Sequence, residues 1–374
     1  MTNITPWSVT EDVNYDKLIT EFGSEYISSE LLIRMEYLTN QPIHKWLKRG
    51  LFFSHRNLNS IMDCYEKHEP MYLYTGRGPS SESMHIGHLI PFIFTKYLQD
   101  VFDAPLVIQM TDDEKFLWKD LTMDEIDVYT KENIKDIISI GLNSNKTFIF
   151  SNKQYISELY PTILQIQKRV TCSTSKAIFG FDNETNIGQM NFPAIQAAPA
   201  FPSSFSKLLP ITSKCLIPCA IDQDPFFRLT RDIAPKIGFA KPSLIHSKFI
   251  PSLKGPGKMS ASDINSCIYL TDDIPTIRKK IMKSFSGGGE TKALHELYGA
   301  NLNIDVPFQL LNIFMDDDNR LDFIRENYSK GRMSTSQVKN ELCDCLIPIV
   351  LNHQTTRSQI TNDTIHEFMH IRSL

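Results

Sequence analysis

Over roughly its first 270 residues the chain alternates short apolar runs with amphipathic stretches, and beyond them it shows helical periodicity alone. Residues 1–70 mix short helical patterns with polar joints: Tyr15–Phe22 and 28–38 carry apolar residues near helical spacing, and Leu51, Phe52 and Phe53 look buried. This segment reads as an N-terminal extension packed on the catalytic domain. Met71 to Tyr74 is a strand-like run, ended by a turn at Thr75-Gly76-Arg77-Gly78-Pro79, and 80–100 reads as a helix. A second apolar run covers 104–110, then come an acidic segment and a helix-prone stretch over 124–140, and Thr147 to Phe150 supply a third run. Further strand candidates are 215–219 and 244–246.

Short apolar strands alternating with helices predict an α/β fold, a doubly wound parallel sheet whose ligands bind outside the carboxyl ends of the strands. Tyr74 ends the first strand in this reading and Gln109 nearly ends the second, so both point into that crevice; ordinary core and edge packing is the alternative. Beyond Thr271 only helices are expected. Ser334 to Gln337 fit a capping box, Val338, Leu342, Leu346 and Ile349 lie one turn apart, and Pro348 is expected to kink that helix. The expected units are an extension over 1–70, a catalytic domain with an insertion over 71–270 and an all-helical domain over 271–374.

Composition narrows the class. Hydrophobic residues at 41% and charged residues at 22% are those of a globular chain. A net charge of -4 gives no global basic field for nucleic acid, which leaves a local patch. Seven scattered cysteines without a C-x-x-C pair suggest a reducing compartment, and Cys215 with Cys219 lacks a second pair for zinc. The first residues lack the pattern of a signal or transit peptide, and no run is apolar enough to span a membrane, so cytoplasm is expected.

Two segments carry chemistry. His85-Ile86-Gly87-His88 lies near a helix start, where free N–H groups and the dipole favour an anion; two imidazoles add donors, and Gly87 leaves room for a flat purine ring. In a chain of this composition H-x-G-H arises by chance in about one sequence per hundred. The second segment, Lys258-Met259-Ser260-Ala261-Ser262 after Lys254-Gly255-Pro256-Gly257, puts a cation on a glycine-rich loop, suited to charge developing on a phosphate. Alone, it equally fits a solvated loop.

The pair H-x-G-H after the first strand and K-M-S-x-S after the last resembles the signature of class I aminoacyl-tRNA synthetases, which implies a Rossmann-like fold. The separation of His88 and Lys258 is similar to that of the tyrosine/tryptophan subclass. The stretches YLYTGRGPSSESMHIGHLIPFIFTK (72–96), LVIQMTDDEKFLWKDLT (106–122), NFPAIQAAPAF (191–201), CLIPCAIDQDPFFR (215–228) and KMSASD (258–263) resemble the eukaryotic cytoplasmic tryptophanyl-tRNA synthetases over nearly the whole chain. Gly-Pro-Gly before Lys258 departs from that pattern. The resemblance implies ATP-dependent ligation of L-tryptophan to tRNA(Trp) through a tryptophanyl-adenylate, with Mg²⁺ arriving bound to ATP and no metal site on the protein. It assigns His85, His88, Lys258, Ser260 and Ser262 to catalysis. It assigns Arg77, Gly78, Gly87, Lys115, Asp222 and Met259 to ATP. It has Tyr74 and Gln109 read the indole N–H, Glu114, Gln196 and Gln223 hold the ammonium, and Phe192 wall the pocket.

Asp112, Asp113 and Glu114 are, on their own, an alternative metal cluster. Lys279, Lys280 and Lys283 before Ser284-Phe285-Ser286-Gly287-Gly288-Gly289-Glu290 fit a solvated helix end or, with the family, RNA phosphate contacts and a flexible loop that reads an anticodon base. A homodimer is expected from the resemblance and from the apolar run 193–198, readable as pocket or interface. A tyrosine-specific enzyme, a catalytically silent RNA-binding relative and a small-molecule adenylyltransferase are the competing readings.

Overall fold

The computed structural model describes residues 14–260 and 263–374. Nine strands are β1 (Glu25–Tyr26), β2 (Phe52–Arg56), β3 (Met71–Arg77), β4 (Leu106–Met110), β5 (Thr147–Ser151), β6 (Lys214–Ala220), β7 (Ser243–Ser247), β8 (Pro251–Ser252) and β9 (Gly255–Lys258). Seven of them form one sheet in the order β1-β2-β7-β6-β3-β4-β5. Strands β7, β6, β3, β4 and β5 run parallel, whereas β1 and β2 close one edge antiparallel.

The parallel strands read as unbroken apolar runs because helices cover both faces of such a sheet. Every residue of β4, β5 and β7 is buried. From β3 the chain winds outward through β4 to β5 in one direction and later through β6 to β7 in the other. The switch point therefore lies between the carboxyl ends of β3 and β6, where a crevice must open.

Sequence and structure part in the N-terminal segment. It is no mere overlay, since β1 and β2 extend the main sheet, with His55 beside Ile245 and Arg56 beside Leu244. Strand β3 runs on through Thr75, Gly76 and Arg77, which pair with Ile108, Gln109 and Met110. Tyr74 therefore lies inside the strand and does not end it. A side chain at Gly76 would place its Cβ 3.2 Å from the Gln109 carbonyl, so glycine lets the ladder continue. The helix expected from residue 80 begins only at Ile86 and runs to Phe102.

From Ile274 onward every described element is a helix. The longest, Thr335–Ser358, opens on the expected Ser334–Gln337 capping box and continues through Pro348 as one helix. Its Val338, Leu342 and Leu346 are buried, and Ile349 is partly so. The N-terminal segment clamps this region: Trp46 Nε1 donates to the Ile313 carbonyl at 2.6 Å, and Arg49 Nη1 to Asn312 and Met315 carbonyls at 2.9 and 2.8 Å.

The glycine run 287–289 is held, contrary to the flexible loop expected. Gly287 N donates to Asp305 Oδ2 at 2.8 Å, and a Cβ there would lie 2.3 Å from the Asn301 carbonyl. Lys280 is equally committed, its ammonium 2.6 Å from Asp272 and over the Tyr269 ring, which takes it from the lysine cluster assigned to RNA. Lys279 and Lys283 remain exposed. The run 193–198 is no surface either: its apolar residues are buried within the chain, and Gln196 alone is partly exposed.

Candidate active site

At the switch point a cavity of about 580 Å³ opens between the ends of β3, β6 and β7 and the β8–β9 hairpin. Arg77 ends β3. Its Nε donates to Asn133 Oδ1 at 3.0 Å, and its Nη2 is buried without a hydrogen bond. Asn133 also donates to the Ser81 carbonyl at 2.8 Å, and Asp136 Oδ2 receives Met84 N at 3.3 Å. The loop between β3 and the helix Ile86–Phe102 thus hangs on the helix Met123–Ile138, which explains the late helix start.

His85 caps that helix, and its main-chain N donates to His88 Nδ1 at 3.3 Å. The two rings stack with centroids 3.5 Å apart. Burial, aided by the Arg77 charge, pushes His85 down to about 3 and His88 well below the usual imidazole range. Both are neutral at pH 7, so each offers one N–H and no charge. Neither ring nitrogen of His85 has a hydrogen-bond partner within the protein, and the residue lines the cavity. A Cβ on Gly87 would sit 3.1 Å from the His85 ring and 3.5 Å from Met259 Sδ.

Lys258 ends β9 rather than riding a free loop. Its ammonium lies 3.1 Å from Asp222 Oδ2 and 5.4 Å from the centre of the Phe249 ring. Asp222 is buried with Oδ1 unpartnered. Ser260 and Met259 line the cavity beside it, and Ser262 lies outside the described residues. Lys115 pairs with Glu114 Oε1 at 2.7 Å, while Thr111 Oγ1 donates to Glu114 Oε2 at 3.2 Å. Gly78 is required opposite them, because a Cβ would fall 2.2 Å from Lys115 Cε.

Arg77, Lys115, Lys119, Lys248 and Lys258 all face this cavity, against the acids Glu114 and Asp222. A chain of net charge -4 has gathered a local cationic surface suited to a polyphosphate. Lys119 and Lys248 escaped the sequence reading. Lys248 directly follows β7, so the carboxyl-end rule was a signal that could have found it.

The opposite end is apolar, with Phe192 edge-on to Trp118 and Phe226 at 5.5 and 6.0 Å, and with Cys219 and Phe227. Gln196 and Gln223 face the same space. Gln223 precedes Asp224, which Arg56 grips with two bonds of 2.8 and 2.9 Å and His246 approaches at 3.0 Å. Burial alone would raise that carboxyl, yet the bonds from His246 and Arg56 bring it down to about 2.

Tyr74 and Gln109 do not line the cavity. They lie fully buried behind its apolar end, where Tyr74 Oη donates to Gln109 Oε1 at 2.5 Å and to the Gln196 carbonyl at 3.0 Å. The acidic triplet diverges: Asp112 receives Ser151, Asp113 receives Asn152, and Glu114 turns to Lys115. Among the described residues no group of three or more His, Cys, Asp or Glu is placed to hold a metal ion, and none of the helices is long and apolar enough to cross a membrane.

Comparison with known proteins gives this geometry its context. The sequence profile of the class I tRNA synthetases (W and Y) matches residues 66–349. The cytoplasmic tryptophan–tRNA ligase of Oryctolagus cuniculus is 52% identical over 382 residues, covering 99% of this chain and 80% of that protein. A product-bound parasite tRNA synthetase superposes with a TM-score of 0.93 at 47% identity, covering 96% of this chain and 97% of the other. The Plasmodium falciparum tryptophanyl-tRNA synthetase does so with 0.91 at 46% identity, covering 96% and 95%.

Proposed function

This chain belongs to the class I tRNA synthetases of the tryptophan and tyrosine type, and from that premise we propose how its cavity serves the joining of tryptophan to tRNA(Trp). The chain ligates L-tryptophan in two steps, as its cytoplasmic relatives are named for doing, and it works in the same compartment. The tryptophan carboxylate attacks the α-phosphorus of ATP and pyrophosphate leaves. The mixed anhydride then acylates the terminal ribose of the tRNA, and AMP departs.

No protein nucleophile is needed, so catalysis lies in positioning and in charge stabilisation. ATP lies along the cationic side, with the adenine against Gly87 and Met259, the α-phosphate at the His85 and His88 N–H groups, and the departing pyrophosphate between Arg77, Lys115 and Lys258. Ser260 and Ser262 belong to the loop that tracks the phosphates. Neutral imidazoles suit this task, because they donate without a charge that would have to be desolvated. Asp222 holds Lys258 before ATP arrives.

Tryptophan fills the apolar end against Phe192, its ammonium taken by Glu114, Gln196 and Gln223 and its indole N–H by Tyr74, with Gln109 behind. The diverging carboxylates fit a magnesium ion that comes with the triphosphate and keeps its waters better than one caged by protein. When bound, it neutralises phosphate charge. The C-terminal helices take the anticodon, with Lys279 and Lys283 available to phosphate.

A second copy of the chain is the remaining partner. Ile156, Tyr160 and Leu164 form an exposed apolar stripe at helical spacing on Asn152–Gln167, beside a smaller cavity of about 270 Å³, and this stripe replaces 193–198 as the dimer surface. Sedimentation at micromolar concentration should give twice the chain mass, and Tyr160→Glu should give the monomer.

One observation carries the reading: cationic and apolar halves share one cavity at the switch point, with the paired signature residues on the cationic side. Pyrophosphate exchange with each aromatic amino acid in turn tests it. Tryptophan should support exchange, and exchange driven by tyrosine instead would reassign the pocket.

A further inference from the structure

Behind the apolar end of the cavity runs a chain of hydrogen bonds in which every donor points the same way. Tyr74 Oη donates to Gln109 Oε1 at 2.5 Å. Gln109 Nε2 donates to Asn152 Oδ1 at 2.9 Å and to the Ile195 carbonyl at 3.3 Å. Asn152 Nδ2 donates to Asp113 Oδ1 at 2.7 Å. Tyr74, Gln109 and Asn152 are at most 1% exposed, so water cannot stand in for a missing partner.

The direction is set by chemistry. A carboxylate and a main-chain carbonyl only accept. Asn152 must therefore turn its amide nitrogen to Asp113 and its oxygen to Gln109. Gln109 is left with its nitrogen toward Asn152 and Ile195 and its oxygen toward Tyr74. The Tyr74 proton is drawn to Gln109 and the Gln196 carbonyl, and what that hydroxyl has left for a ligand is a lone pair. Asp113 and Asn152 face the smaller cavity on the other side of this wall, so neither touches the amino acid.

We propose that Asp113 and Asn152 are positioning residues that fix the polarity of this chain and make the end of the pocket an obligate acceptor, so that it selects an aromatic ring bearing one N–H donor. The inference rests on the assignment of the indole N–H to Tyr74. Bonds aligned head to tail polarise one another, which sharpens the acceptor at the ligand end. A donorless ring leaves that buried lone pair unpaired, and sites of this kind reject such analogues strongly.

The test compares tryptophan with its analogue in which sulfur replaces the ring N–H. Both are assayed by pyrophosphate exchange at pH 8, where the Asp113 carboxyl, pushed up to about 6 by burial, is ionised. Wild type, Asn152→Ala, Gln109→Ala and the double variant are used. Asn152→Ala should lower kcat/KM for tryptophan on the order of tenfold while leaving the analogue and the KM for ATP nearly unchanged. In the Gln109→Ala background it should cost nothing further, because the two act through one chain. Equal losses for both amino acids, or losses that add, overturn the proposal. If Gln109→Ala leaves the preference for tryptophan intact, the indole reading fails and takes this inference with it. If Gln109→Ala removes the preference and Asn152→Ala does not, the inference alone fails. Should Asn152→Ala not fold, Asp113→Asn keeps the volume and frees Asn152 to turn: a narrowed preference supports the proposal and an unchanged one overturns it.

Discussion

Lys258→Ala separates transition-state charge from ground-state binding. In the free protein the ammonium lies 3.1 Å from Asp222 Oδ2, with the lysine side chain 34% exposed and the carboxylate 8%. A pair so open to solvent is worth at most about 1 kcal/mol, so the substitution should barely move the thermal midpoint. The chemical step is another matter. As the bond to the leaving pyrophosphate breaks, charge grows where Lys258 reaches, and losing one preorganised contact of this kind costs roughly 2.7–4 kcal/mol, or about 10²–10³ in kcat. Tryptophan binds at the Phe192 end, away from β9, so its KM should stay within about twofold. Exchange at saturating ATP and tryptophan reads kcat, and titrating tryptophan reads KM. Full exchange in the variant, or a tryptophan KM that rises as much as kcat falls, would refute the assignment of Lys258 to the phosphates.

The same geometry sets three further outcomes. His85 is held at about 3 in the folded protein, below the unfolded value near 6.5, so its share of stability is intact above pH 6.5 and is lost as pH falls toward 3; urea unfolding should show wild type losing about 2 kcal/mol relative to His85→Gln between pH 7 and pH 5, and a constant difference would mean the ring is not buried as described. Gly87→Ala places a methyl 3.1 Å from a His85 ring already stacked on His88, and exchange should fall on the order of tenfold with the thermal midpoint within a degree or two, whereas unaltered exchange would show the contact to be slack. Trp46→Phe keeps a ring but deprives the buried Ile313 carbonyl of its 2.6 Å donor, so stability should drop by about 1–3 kcal/mol in urea with exchange nearly unchanged.

The parallel strands were legible because burial on both faces writes them as plain apolar runs. Strand β2 was not, although it reaches the main sheet. Its Ser54 and His55 are polar yet buried, and that is tolerable only because Ser54 meets His246 Nδ1 at 2.9 Å, 192 positions away, and His55 Nδ1 takes Leu58 N. No local window contains that partner. Gly287, Gly288 and Gly289 misled for the converse reason: glycine signals freedom to a reader of sequence, but here it marks backbone packed on Asn301, Thr335 and His295.

The site shows the same division. His85, His88 and Lys258 could be picked out by spacing, since side chains that act on phosphate must stand near a helix start and on a glycine-rich turn. What the spacing could not show is that the two segments are one construction. Ile86 N donates to the Ile268 carbonyl at 3.0 Å and Leu270 N to the Met84 carbonyl at 2.9 Å, so the segment after Lys258 is stitched to both sides of His85. Gln354 Nε2 then donates to the Leu270 and Asp272 carbonyls at 2.8 and 3.0 Å, while Arg357, one turn on, reaches Asp136 at 2.7 Å, the residue that holds Met84. One turn of the longest C-terminal helix thus grips both signature segments. A movement of that helix cannot leave the spacing between His85 and Lys258 untouched, because each segment hangs from it by its own hydrogen bonds.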